Sequence, residues 1–420
     1  MLEAAYRQRL DADLKEWQTD GIITPSIADA IRLKLGPLPK GVNIPTVVGI
    51  IGALLIAAAF LVFVASNWTE IARPARFAIL LVGIACAYGL GALFAKQDRV
   101  YLADIAVTVG CIVFGAAIAL TGQMYHLSGD FSAGVLLWAC GALLAAILTN
   151  SRGALAVALV TGCLWSGMRM FDAHEVPHFM FVPYWLVCAG LAVAWNAPTA
   201  RHLVAVAGGA WWTMIALSYV SFFRWEPINF GAAGAAFMFG LGLAMTTIGS
   251  QSVRKLGDTL ATYAALSFVV VVTFPILGII DSYRHALPYW VTGCAIAGLI
   301  LAFAAAAVGR RIAPAIIGVS LLFGLLIAGG YAKAPKGADQ WLNYSLSLLA
   351  MLGLIVSGML DKIRPRVVAG WIGMAVAIAE ITWALEGSMI KKTLFLAVAG
   401  AVAIGIAILL GKLKPRESAV

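Results

Sequence analysis

Long apolar runs with almost no charge recur from residue 45 to residue 411, and they constrain this chain more than any other feature. Fourteen runs are long enough to cross a bilayer: 45–66, 77–95, 102–121, 131–149, 153–170, 179–195, 202–222, 228–248, 259–280, 288–308, 313–331, 340–360, 367–386 and 392–411. A span needs roughly 20 apolar residues, with about 17 as a floor. The runs 153–170 and 179–195 sit near that floor. The runs are continuous rather than alternating, which excludes a porin-type barrel. With 62% hydrophobic and 12% charged residues, the chain also lies far outside the range of soluble enzymes, disordered chains and disulfide-stapled secreted domains. The expected fold is all-α: a polytopic transmembrane helical bundle of about 14 spans.

Residues 1–44 stand apart. Leu2, Tyr6, Leu10, Leu14 and Trp17 form a stripe at helical spacing, and Asp20-Gly21 breaks it. Thr24 before Pro25 reads as an N-cap and first helical position, and Ile27, Ile31 and Leu35 continue a second stripe. This predicts a small helical hairpin followed by a stiff linker through Pro37, Pro39 and Pro45. The expected organisation is a cytoplasmic hairpin and linker over 1–44, a bundle over 45–411 and a cytoplasmic tail over 412–420. The first run starts too late for a cleavable signal peptide.

Basic residues set the expected orientation. The N-terminus, the even-numbered loops and the C-terminus hold 20 of the 29 Lys and Arg residues, and the odd loops hold 9. The positive-inside rule then places both termini in the cytoplasm. No basic block is long enough for a nucleic-acid arm, so the +9 net charge points to membrane orientation and not to nucleic acid. All six cysteines fall inside apolar runs without CxxC spacing, which makes them small packing residues.

Chemistry has few places to sit, because every loop is short. Glu380 is the clearest intramembrane ionisable group. It shares a helical face with Gly373, Ala377 and Ala384, so it is expected to face the bundle and to suit proton coupling. Asp104 shares a weakly polar face with Thr108, Cys111 and Gly115 and marks a second polar position. His174 and His178 are four apart, but Pro177 lies between them, so they are expected as solvated loop residues and no metal site is expected. Arg169 is expected to snorkel at the end of its span. Pro183 and Pro275 lie inside runs and mark helix breaks. Gly-xxx-Ala pairs (Gly83/Ala87, Gly141/Ala145, Gly293/Ala297) predict tight helix packing. No nucleotide, hydrolase or P-loop motif occurs, and no cofactor is expected.

Three stretches carry a resemblance: LKEWQTDGIITPSIADAI in the hairpin, ASNWTEIARPARFAILL between the first two runs, and ALTGQMYHLSGDFSAGVLLWACGALL between the third and fourth. Together they resemble a family of bacterial predicted inner-membrane proteins catalogued as domain of unknown function twenty-one fifty-seven. The resemblance covers residues 1–150. Its recurring positions fall on Trp17, Gly21, Asn67, Trp68, Arg76, Gly122, Gln123, Tyr125 and His126. It implies the bacterial inner membrane and brings no activity, substrate or cofactor. Asn67, Trp68, Gln123, Tyr125 and His126 all lie at the outer ends of the first and third spans. An outward vestibule of amides, aromatics and a histidine suits a polar or glycan-like ligand.

The leading expectation is transport or export of a small polar or lipid-linked substrate, with Glu380, Asn67, Trp68, Gln123, Tyr125 and His126 as substrate or coupling residues. The alternative is a non-catalytic envelope scaffold that assembles with copies of itself or other membrane proteins through the hairpin, with lipid as its other partner. A third reading, an intramembrane transferase on a lipid-linked sugar, requires the outer histidines and carboxylates to converge.

Overall fold

The computed structural model describes residues 10, 13, 14, 16–35, 52, 55, 62, 72–125, 130–223, 227–273, 287–331 and 338–384. All regular structure among them is α-helical. The helices are α1 (Pro25–Leu35), α2 (Arg73–Lys96), α3 (Val100–Met124), α4 (Phe131–Thr149), α5 (Arg152–Phe171), α6 (Phe181–Ala194) and α7 (Pro198–Phe223). They continue with α8 (Pro227–Ile248), α9 (Gln251–Thr273), α10 (Tyr289–Gly309), α11 (Ile312–Tyr331), α12 (Ala338–Leu360) and α13 (Arg364–Ala384). Eleven are long and apolar enough to cross a membrane, and α6 is a shorter apolar helix. These helices fall on the runs from 77–95 to 367–386. The runs 45–66 and 392–411, the linker and the tail lie outside the described residues, apart from three isolated positions in the first run.

Of the two runs near the length floor, 153–170 becomes the full 20-residue α5 while 179–195 becomes the 14-residue α6. At 1.5 Å per residue α6 measures about 21 Å, short of the roughly 30 Å hydrocarbon thickness. Pro183 lies in its first turn, where a missing N–H costs nothing, so it starts the helix rather than breaking it. Pro275 lies outside the described residues.

The chain divides into two units, 1–113 and 114–420, with the boundary inside α3. In the first unit the expected start of α1 is present: the Thr24 carbonyl accepts from the Ile27 and Ala28 N–H groups. The turn before it closes through Gly21 at φ 71°, with the Ile22 N–H on the Trp17 carbonyl. The hairpin buries Leu14 and Ala28, whereas Ile27, expected on the buried stripe, is 49% exposed. α2 and α3 are joined by a tight turn in which Asp98 takes φ 55°. They meet where the Tyr88 ring covers Gly110 and its hydroxyl lies 3.6 Å from Cys111 Sγ.

In the second unit, left-handed residues close most of the turns at one end: Asn150, Asn196, Arg310 and Lys362. Asn tolerates this conformation best, and each such turn folds two helices into an antiparallel hairpin. The longer described loop, 172–180 between α5 and α6, lies at the opposite end, the long-loop end. α8 and α9 are the most buried spans. α8 packs on α7, α9, α10 and α11. Glycines permit this approach. A Cβ on Gly240 would lie 2.1 Å from the Gly298 carbonyl oxygen of α10, and one on Gly257 of α9 would lie 2.5 Å from the Gly242 oxygen. Around these seams Ala236, Phe239, Leu243, Ala261, Ala265, Phe268, Met351 and Leu354 form the main core. The expected Gly-xxx-Ala packing is only partly how this works. Gly141 lies tight against Phe114, but a Cβ on Gly293 would meet nothing within 4 Å.

Candidate functional site

The structure describes only part of the expected site. Asn67, Trp68 and His126 lie outside the described residues. Gln123 and Tyr125 stand exposed at the end of α3. Asp104 occupies the first turns of α3, where its carbonyl accepts from the Thr108 hydroxyl at 2.7 Å. Its face does continue through Thr108 to Cys111, as the sequence pattern implied, and that face packs on Tyr88. Glu380 lies on α13, which packs principally on α12 and α9.

Glu380 lies on the glycine face of α13, as expected. Gly370 and Gly373 let α13 descend onto α12. A Cβ on Gly373 would sit 2.2 Å from Met351 Sδ, and one on Gly370 would sit 3.1 Å from the Ile355 nitrogen. One turn further, Ala377 is fully buried. Glu380 follows on the same face, and both its carboxylate oxygens are buried without a hydrogen-bond partner among the described residues. A carboxylate in hydrocarbon without a partner is costly and marks function more often than packing.

A second cluster, which the sequence pattern did not reveal, occupies the long-loop end. Asp130 caps α4 by accepting from the Ser132 N–H at 2.9 Å. Ser132 is the main cause holding the Asp130 carboxyl below its usual range, and the Arg169 charge adds to it. Arg169 Nη1 reaches Asp130 Oδ2 at 2.9 Å, while its Nε and Nη2 grip the Glu175 carboxylate in a forked pair. Arg169 is therefore paired, where a lone snorkelling cation was expected. Its position in the last turn of α5, facing a loop carboxylate, was the available signal.

His178 departs from expectation in the same way. It is buried, not solvated. Its Nδ1 lies 3.1 Å from Ser166 Oγ, which also accepts from Trp211 Nε1 at 3.1 Å. Trp165 meets the imidazole edge-on. Burial pushes the His178 pKa down. Arg169 acts in the same direction and Glu175 opposes it. His174 turns away in a left-handed conformation and lies against Phe222, the two rings tilted by 42°. The two imidazoles thus serve different neighbours, because residues 174–178 are a loop and not a helix. No group of three or more His, Cys, Asp or Glu suited to a metal occurs among the described residues.

The tight-turn end holds a third cluster. Arg366 is 1% exposed. Its Nη1 reaches Asp361 Oδ2 at 2.9 Å, and its guanidinium lies 5.5 Å from the Phe239 ring centre. Arg311 reaches the same carboxylate at 3.7 Å and donates to Thr246 Oγ1 at 3.2 Å. These contacts tie the α12–α13 turn to the α10–α11 turn and to the end of α8. Residue 246 lies in the last turn of α8 and residues 311 and 361 in two separate connections, so no spacing rule could bring them together.

A family model described as Predicted membrane protein (DUF2157) matches residues 15–155 of the chain. This is the segment on which the sequence resemblance rests. No curated protein and no solved structure matches the chain. The family match and the helices agree on a multi-pass membrane protein, and Glu380 lies beyond the matched segment.

Proposed function

We propose that this chain transports or exports a small polar or lipid-linked substrate across the bacterial inner membrane, with Glu380 as its coupling carboxylate. The observation that carries the reading is the burial of both Glu380 oxygens inside a span, without a partner among the described residues. Ionisable groups so placed commonly mark ion pathways and proton relays. Over the whole sequence the N-terminus, the even-numbered loops, which include the tight turns, and the C-terminus hold 20 of the 29 Lys and Arg residues, and the odd loops hold 9. This asymmetry supports a cytoplasmic tight-turn end and an outward-facing long-loop end. Gln123, Tyr125, Asn67, Trp68 and His126 belong to the outward vestibule in this reading, and Asp104 to a second polar position. The test is proton uptake by reconstituted vesicles under an imposed membrane potential. Glu380→Gln should abolish uptake while leaving abundance and unfolding temperature near wild type. Equal uptake by both forms would remove Glu380 from the coupling role.

A scaffold role is the second reading, favoured by the hairpin. Trp17, Ile22 and Ile27 are 38%, 69% and 49% exposed on a polar segment. A chain lacking residues 1–36 should then insert normally but form a smaller assembly by native mass. Identical assemblies would exclude the hairpin as an interaction module.

A further inference from the structure

Among the described residues the Glu380 carboxylate is a buried polar group without a hydrogen-bond partner, and another lies on the helix packed against it. The latter is Ser347 Oγ on α12, whose residue is fully buried. Helical serines in this protein usually return their hydroxyl to their own backbone. Ser320 bonds the Ile316 carbonyl, Ser345 bonds Trp341, and Ser357 bonds Leu354. Ser347 does not.

The helix register brings the two groups together. α12 and α13 run antiparallel, with Gly373 against Met351 and Gly370 against Ile355. Stepping outward from these contacts, Ala377 comes level with Ser347 and Glu380 with Tyr344. Side chains on a helix lean toward its N-terminus. Glu380 therefore leans back toward Ala377, and Ser347, on the oppositely directed α12, leans toward Tyr344. The two converge over Ala377, whose single methyl leaves room. α9 closes the third side. Val269 lies 3.1 Å from the Cβ position of Gly373, and α9 runs parallel to α13, so Thr273 comes level with Ala377. The Thr273 hydroxyl donates to the Val269 carbonyl at 2.8 Å, which leaves its lone pairs as acceptors.

We propose that Glu380, Ser347 and Thr273 form an oxygen-lined site for a small monovalent cation, a proton or Na⁺, in the wedge between α9, α12 and α13. The proposal deepens the coupling role of Glu380 by naming what it couples to. The donors are all hard oxygens, as hard cations require, and a single carboxylate matches a single positive charge. Both proton and sodium satisfy the same chemistry, so experiment must separate them.

The test uses the purified full-length protein. Unfolding temperature is measured in NaCl against choline chloride at equal ionic strength, and infrared difference spectra follow the protonated carboxyl band. A sodium site gives a sodium-dependent rise that choline does not reproduce. Glu380→Gln should abolish it, and Ser347→Ala and Thr273→Val should each weaken the apparent sodium affinity about tenfold or more, the lower range for disturbed metal-site shells. A proton site gives no sodium effect but a carboxyl band that vanishes in Glu380→Gln and shifts in Ser347→Ala. If Glu380→Gln does not fold, the two hydroxyl variants carry the test alone. The absence of both a sodium effect and a carboxyl band that responds to Ser347→Ala would overturn the proposal. Cation binding without vesicle uptake would refute transport and leave the site standing, whereas uptake without a binding response would refute the site alone.

Discussion

Replacing Gly240 by alanine would place a methyl group 2.1 Å from the Gly298 carbonyl oxygen. Real Cβ contacts essentially never fall below 3.0 Å, so the two backbones must part by about 0.9 Å. The obstacle is main chain on both sides and cannot rotate away, because the Cβ position of Gly298 is itself only 2.3 Å from the Ala236 oxygen. A gap of that size forfeits about a quarter to a half of each dispersion contact of ~0.1–0.2 kcal/mol. For about 40 contacts along the seam, comparable to those of one buried leucine, the loss is roughly 1–4 kcal/mol. Alanine returns about 1 kcal/mol of helix propensity, leaving a net destabilisation centred on about 1 kcal/mol and reaching about 3 kcal/mol. Gly293→Ala on the same α10 is the control. Nothing lies within 4 Å of its Cβ position, so it should be neutral or stabilising by up to about 1 kcal/mol. Equilibrium unfolding in mixed micelles, followed by tryptophan fluorescence, measures both. Packing is the main force between helices in lipid, so the two variants should differ clearly. Equal stability would refute the view that the α8–α10 seam depends on backbone approach.

Two further outcomes follow from the charged clusters. Asp361→Leu should destabilise the protein by about 3–5 kcal/mol, because it leaves the Arg366 guanidinium buried and unpaired, and adding Arg366→Met should recover most of that loss. A double variant no better than Asp361→Leu would contradict this in the same unfolding assay. Burial holds His178 neutral below its ordinary value of 6.5, so the folded state binds fewer protons than the unfolded one. Its contribution is therefore complete above about pH 6.5 and is lost as pH falls below it. Unfolding temperatures between pH 8 and pH 5 should drop more steeply for wild type than for His178→Gln, and parallel curves would exclude His178 as the cause.

The helices and their limits were legible in the sequence because a bilayer leaves a long apolar run few alternatives to a helix. Thr24 before Pro25 marks a helix start by chemistry local to the chain, and the structure keeps it. The inward face of Glu380 was legible too, since Gly373 and Ala377 share its helical side. Partners were not legible. Helices such as α4, α8 and α10 are apolar on every side, so their sequences do not say which face meets which neighbour. That choice belongs to backbone approach, as between Gly240 and Gly298, and a spacing rule such as Gly293/Ala297 does not predict it. Along the chain His178 looked solvated, Arg169 looked like a snorkelling group, and Arg366 was one basic residue of a loop. Tertiary contact turned the first into a buried neighbour of Ser166, paired the second with Asp130 and Glu175, and placed the third between Asp361 and Phe239. A polar group in low dielectric takes whatever partner the fold brings within reach, and that partner comes from a distant part of the chain.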